Sequence, residues 1–158
     1  MWQRVVKLVL ILFLSLTNPA FINAELPEEY EGVYLLIDKK TNRLHVFLNG
    51  YIVYTFPVGT GKQKYQTPTG TFKIITKVYE PWYIPKNIPG NHPSNPLGTR
   101  WLGLDVPNTG GYKYGIHGTN NPHSIGHYVS QGCIRMHNKD VEFLYEHLPL
   151  NTIVIIKD

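Results

Sequence analysis

A single cysteine cannot close an internal disulfide, and this chain of 158 residues has one, Cys133. That excludes a disulfide-stapled scaffold and a thiolate-rich structural zinc site. No run of lysines and arginines of the kind that grips a phosphate backbone is present, so no nucleic-acid partner is implied. Charged residues make up 16% and apolar ones 42%, too apolar a balance for disorder. Internal repeats and low-complexity segments are absent. The length suits one domain.

The longest apolar run, "LVLILFLSL" at residues 8–16, is about half the ~20 residues a bilayer span needs. It follows Arg4 and Lys7 and leads into "TNPAFINA", ending at Ala24. This is the order of a secretory signal, expected over residues 1–24 and followed by one domain over 25–158. Ile22 is an imperfect residue before the cut, so an uncleaved N-terminal anchor is the alternative, and the membrane would then be met only through this segment. No cysteine lies near the cut to carry a lipid. Cleavage removes Arg4 and Lys7 and no acid, taking the formal net charge from +4 to +2. The expected location is outside the cytoplasm.

Glycine and proline are plentiful, 14 and 12, which favours many short strands. "VYLLID" is apolar and β-branched. In "RLHVFL", Leu44, Val46 and Leu48 alternate with polar or outward positions, the period of a half-buried strand. Asn49-Gly50 signals a tight hairpin, with "YIVYTFPV" as its return strand. Residues 33–58 thus read as an antiparallel meander. Further strands are expected in "TFKIITKV", "RWLGLDV", "KYGIHGT" and "TIVIIKD". Residues 80–99 carry five prolines and no periodicity, the mark of a lid or binding loop. Asn138 is placed to cap a helix over "KDVEFLYEHL", with Val141, Leu144, Tyr145 and Leu148 on one face. The expected fold is mostly β, a sandwich or barrel with one short helix after the cysteine.

The stretch "IHGTNNPHSIGHYVSQGCIRMHN" gathers the cysteine and four histidines. If "CIRM" is extended, Cys133 and Arg135 share a face and Ile134 points inward. A thiol beside a guanidinium suits attack on a carbonyl near a substrate carboxylate. The free thiol is mostly protonated at neutral pH, so it needs a base. His117, at a strand end, is the best-placed base, while His123 and His127 read as solvent-facing and His137 as either. A metal reading, from His123 and His127 with Cys133 and His137, is the competitor. "HSIGH" is a poor helix for it and lacks the glutamate of a zinc protease.

These residues resemble the active-site block of the YkuD-type L,D-transpeptidases, the ErfK/YbiS group. The pattern is a His-Gly pair, a gap of mid-teens length, then Ser/Thr-x-Gly-Cys. Here His117 precedes Cys133 by sixteen positions and "SQGCIR" completes it. The order is opposite to that of cell-wall peptidases whose cysteine comes first. The likeness extends to "IDKKTNRLHVFLNG", "FPVGTGKQKYQTPTGTFKI" and "RWLGLDVP", covering about residues 31–158.

The resemblance implies a Cys133 nucleophile, a His117 base, and peptidoglycan stem peptides as donor and acceptor. It implies 3–3 cross-linking, with water as the acceptor of an L,D-carboxypeptidase or a non-catalytic wall or spore-coat role as alternatives. The backbone N–H groups of Gly132 and Cys133 are the expected oxyanion donors, and Arg135, Ser130 and Asn120 the expected substrate contacts, with Thr119 beside them in the pocket. No metal or cofactor is implied, and the oligomeric state is left open. Some members carry serine after the histidine. Here Gly118 stands there, so a backbone carbonyl or a residue distant in sequence must orient the imidazole.

Overall fold

The computed structural model describes residues 32–158, and the expected export segment lies outside them. In chain order the strands are β1 Val33–Asp38, β2 Arg43–Leu48, β3 Tyr51–Pro57, β4 Thr60–Gly61, β5 Gly70–Tyr79, β6 Arg100–Leu104, β7 Gly115–His117, β8 Tyr128–Ser130, β9 Ile134–Arg135 and β10 Ile153–Lys157. One α-helix, α1, spans Asn138–His147 among the described residues. Eight strands form a curled sheet in the order β3-β2-β1-β10-β5-β6-β7-β9, and β4 pairs with β8. The β1–β10 and β7–β9 pairs are parallel, and the rest of the large sheet is antiparallel.

The meander forms as the pattern predicts. Asn49 and Gly50 both take positive φ, 49° and 81°, and turn the chain so that Leu48 meets Tyr51. Leu35, Ile37, Leu44 and Val46 enter the main core with Phe72, Ile74, Leu102, Ile116 and Ile134. Burial of each such side chain stabilises the fold by ~1.5–3 kcal/mol. Leu48 departs from the expected alternation and is exposed, because it sits at the hairpin end. Phe47 is buried instead, on the opposite face, stacked on Tyr34 at 4.8 Å. A register shift between Val46 and Phe47 accompanies the change.

Helix α1 closes the core with Val141 and Leu144, and Leu148 just beyond its end is buried beside them. Its N-cap is His137, with no side-chain capping bond. Asn138 is therefore not the cap. Its Oδ1 accepts from the Thr119 N–H at 2.9 Å, tying the helix start to the segment after His117. The proline-rich segment 80–99 is stapled from within. The Asn95 amide, 1% exposed, donates to the Pro81 and Pro89 carbonyls and accepts from the Leu97 N–H.

Candidate active site

On β6, Leu102 and Leu104 face the core, which turns Trp101 and Gly103 to the other side. On β7 the buried Ile116 likewise turns Gly115 and His117 outward from the core, and on β9 Ile134 does so for Arg135. The register aligns them. Trp101 lies opposite His117, which lies opposite Arg135, and Gly103 lies opposite Gly115. One step back along the β9 register, Cys133 comes beside Gly115. Cys133 and His117 are thus diagonal neighbours on one face of adjacent strands, their backbones roughly 8 Å apart, within reach of long side chains.

His117 is 3% exposed. Its Nδ1 lies 2.6 Å from the Gly118 carbonyl oxygen. A carbonyl only accepts, so Nδ1 carries the hydrogen and Nε2 is left basic. Burial is the main cause that pushes the imidazole down to about 4. The Gly118 carbonyl opposes it, the Arg135 charge adds to it, and the Leu97 carbonyl opposes it. The orienting group is thus the backbone carbonyl of the very residue that lacks a side chain. A Cβ on Gly118 would collide with the Asn138 Oδ1, so serine there would displace the Asn138 side chain from its bond to the Thr119 N–H.

Cys133 is a partly exposed residue, and its thiol donates to the Lys113 carbonyl at 3.3 Å. Burial is the main cause that pushes it up to about 11, against the Gly115 amide and the Arg135 charge, which favour the thiolate. At neutral pH the pair is therefore thiol and imidazole, not thiolate and imidazolium. Gly132 has φ +110°, and a Cβ there would come within 2.8 Å of the Tyr114 ring, so the turn into the cysteine requires glycine.

The remaining expected residues divide. Arg135 is half-buried on the shared face, with its Nε buried and unpartnered among the described residues. Ser130 is 1% exposed, and its hydroxyl donates to the Cys133 carbonyl and accepts from the Gly132 N–H. It holds the cysteine turn. The same hydroxyl engages the Gly132 N–H, one of the two expected oxyanion donors. Thr119 is buried, its hydroxyl engaged with the Asn121 backbone, and Asn120 is exposed. His123 and His127 are exposed and His137 half-buried. Among the described residues no three of His, Cys, Asp and Glu gather closely enough to hold a metal ion.

Sequence reasoning missed Trp101, which stacks on His117 with ring centroids 5.5 Å apart and planes 17° apart. The signal was there as "WLG" and "GIH", two short strands in which glycine and a large ring share one face.

Residues 32–156 match the family model of the YkuD L,D-transpeptidase catalytic domain. The chain belongs to this family. Among curated relatives it is 46% identical over 125 residues to Bacillus subtilis (strain 168) YqjB, covering 79% of this chain and 71% of YqjB. It is 41% identical over 132 residues to YkuD of the same organism, covering 83% and 70%. Both carry the L,D-transpeptidase name. The L,D-transpeptidase structure from Stackebrandtia nassauensis shares the fold at a TM-score of 0.65 and 23% identity, covering 83% of this chain and 58% of that one. One from Mycobacterium smegmatis does so at 0.57 and 24%, covering 80% and 58%. The chain thus spans less than two thirds of these two solved proteins, and the likeness to them is one of fold. YkuD membership and the mostly-β fold with one helix agree with the reading of the motif.

Proposed function

We propose that this chain is an exported peptidoglycan L,D-transpeptidase acting through a Cys133 thioester. The observation that carries the reading is the shared face. A partly exposed cysteine, a buried neutral imidazole with Nε2 free of its tautomeric hydrogen, and a half-buried arginine stand on one face of neighbouring strands. The Arg4/Lys7 and apolar-run pattern supports export.

In the acylation half, Nε2 of His117 takes the thiol proton as Sγ attacks the carbonyl of the third stem residue. The tetrahedral oxyanion is met by the Cys133 N–H, a contact worth ~3 kcal/mol when well aimed. Collapse breaks the C–N bond, the His117 proton goes to the departing nitrogen, and D-alanine leaves. In the second half, a side-chain amine of another stem attacks the thioester, loses its proton to His117, and releases Sγ with a 3–3 cross-link formed. Arg135 binds a substrate carboxylate through its guanidinium. Because both groups start neutral, proton transfer and attack proceed together, without a standing ion pair.

The test is incubation of the purified protein with disaccharide-tetrapeptide, followed by intact-protein and product mass analysis. Loss of D-alanine, a transient acyl adduct on Cys133 and a cross-linked dimer are expected. Tripeptide in place of dimer would show water to be the acceptor. D-alanine release at the parent rate by Cys133→Ala would refute the nucleophile.

A further inference from the structure

We propose that Trp101 is the positioning residue of His117: its indole, laid flat over two glycines, holds the imidazole in one orientation and keeps water off its face. The inference rests on His117 being the base of the proposed reaction.

The arrangement is built from two strands and the segment that joins them. Trp101 and His117 are direct register partners on β6 and β7, and their rings lie nearly parallel, 17° apart. The indole itself cannot swing, because its Nε1–H is bonded to the Gly111 carbonyl at 2.8 Å and it is 6% exposed. The floor beneath it exists only because two side chains are missing. A Cβ on Gly115 would come within 2.7 Å of the indole Cζ2. One on Gly103 would come within 2.8 Å of its Nε1 and would collide with the Gly111 carbonyl. Glycine in a strand marks such close approach, and here both glycines of one register pair serve the same ring.

The imidazole is thereby restrained in two independent directions. The Gly118 carbonyl fixes one edge of the ring through Nδ1. The indole blocks rotation out of that plane. Neither alone suffices: a single hydrogen bond leaves the ring free to tilt, and a stack alone leaves it free to turn in its plane. The indole is also part of the burial that disfavours the charged imidazole. The charged group facing the ring is Arg135 from β9, and the other titratable one is Cys133. Arg100 on β6 is turned to the opposite side, over Tyr79 and Tyr145. Asn138, from the helix start, reaches Thr119 and is uncharged.

The experiment compares the full chain with Trp101→Phe and Trp101→Leu. The His117 ring is titrated by NMR, alongside kcat and KM for D-alanine release from tetrapeptide. In Trp101→Leu its titration should move from near pH 4 toward the ordinary histidine range, about 6.5. Its kcat should fall roughly ten- to hundredfold with KM little changed, as expected for lost orientation. Trp101→Phe, which keeps a ring to stack, should stay near the parent in both. An unmoved titration and kcat in Trp101→Leu would overturn the proposal. So would equal losses in both variants with the parent titration, which would mark a structural residue. Should Trp101→Leu fail to fold, Trp101→Met takes its place: an upward move with the Nδ1–H tautomer retained supports the proposal, and the parent titration with the parent kcat refutes it. If the parent releases no D-alanine, the proposed reaction fails, while the titration still reports on Trp101.

Discussion

On the β3-β2-β1-β10 side of the sheet both faces carry large side chains, whereas on the β6-β7-β9 side one face carries glycines beside an indole, an imidazole and a thiol. In β1, Leu35 and Ile37 face the main core while Tyr34 and Leu36 are buried on the reverse, with Phe47 from β2 stacked on Tyr34. In β6 and β7, Leu102, Leu104 and Ile116 face the core, and Gly103 and Gly115 face the site. Side chains packed on both faces supply stability and exclude anything else. Glycine costs roughly 0.5–1 kcal/mol per position in strand stability, but it leaves backbone open for a sulfur to meet an amide and a ring to lie flat. The two halves also share a sheet, so the rigid half holds the strands from which the sparse half hangs its reactive groups.

The comparison can be broken most severely at the sparse half. His117→Gln keeps a buried polar side chain in place but removes the proposed base. D-alanine release should fall ~10²–10⁴-fold while the melting temperature stays close to the parent's at pH 7. The reverse separation is expected in the packed half. Leu35→Ala, at a fully buried position, should cost ~2–5 kcal/mol in urea denaturation and leave turnover per folded molecule unchanged.

A third distinction is by pH. His117 titrates at about 4 when folded and near 6.5 when unfolded, so the unfolded chain binds its proton more readily between those values. The contribution to stability is fully present above about pH 6.5 and is lost as pH falls through the window to 4, by roughly 3 kcal/mol. Melting curves across that range should show the decline, and His117→Gln should flatten it. Cys133 has the opposite sense. Its folded titration is raised to about 11, so its contribution is present below about 9 and is lost as pH rises toward 11. A smaller effect is expected of Gly115→Ala. Its Cβ would press on the indole, and the cost should be ~1–3 kcal/mol, with a change in tryptophan fluorescence. An alanine at the exposed Thr71 of β5 should cost far less in the same assay.

Much of the fold was legible because its signals are local. Alternation marked β2, Asn49-Gly50 marked the hairpin, and the spacing of Val141, Leu144 and Leu148 marked the helix face. The strands β4 and β8, two and three residues long, escaped because no periodicity fits in so few positions. They form from cross-chain bonds, such as Thr60 N–H to the His127 carbonyl at 3.1 Å and Lys62 N–H to the Ser130 carbonyl at 3.2 Å. The site was legible in part for the same reason. Cys133, His117 and Arg135 stand out by chemical type, but nothing in the sequence showed that the Ser130 hydroxyl bonds the Cys133 carbonyl and the Gly132 N–H. Asn138 looked like a helix cap and instead braces the segment after His117. A short polar side chain can bond its own turn or a distant one, and residue type alone does not choose.

What the chain's order of residues determined by itself is which chemistry is possible: one thiol, an imidazole sixteen positions earlier, glycines at the turns, and the family these compose. What only the tertiary structure decided is how the imidazole is held and in which state. Its orientation comes from a carbonyl at Gly118 and an indole at Trp101, and its neutrality comes from burial among strands far apart in sequence. The reason is physical. Reactivity of a functional group is carried by its covalent type, which sequence specifies, whereas its protonation and direction are set by the dielectric and the contacts around it, which exist only once the sheet has closed.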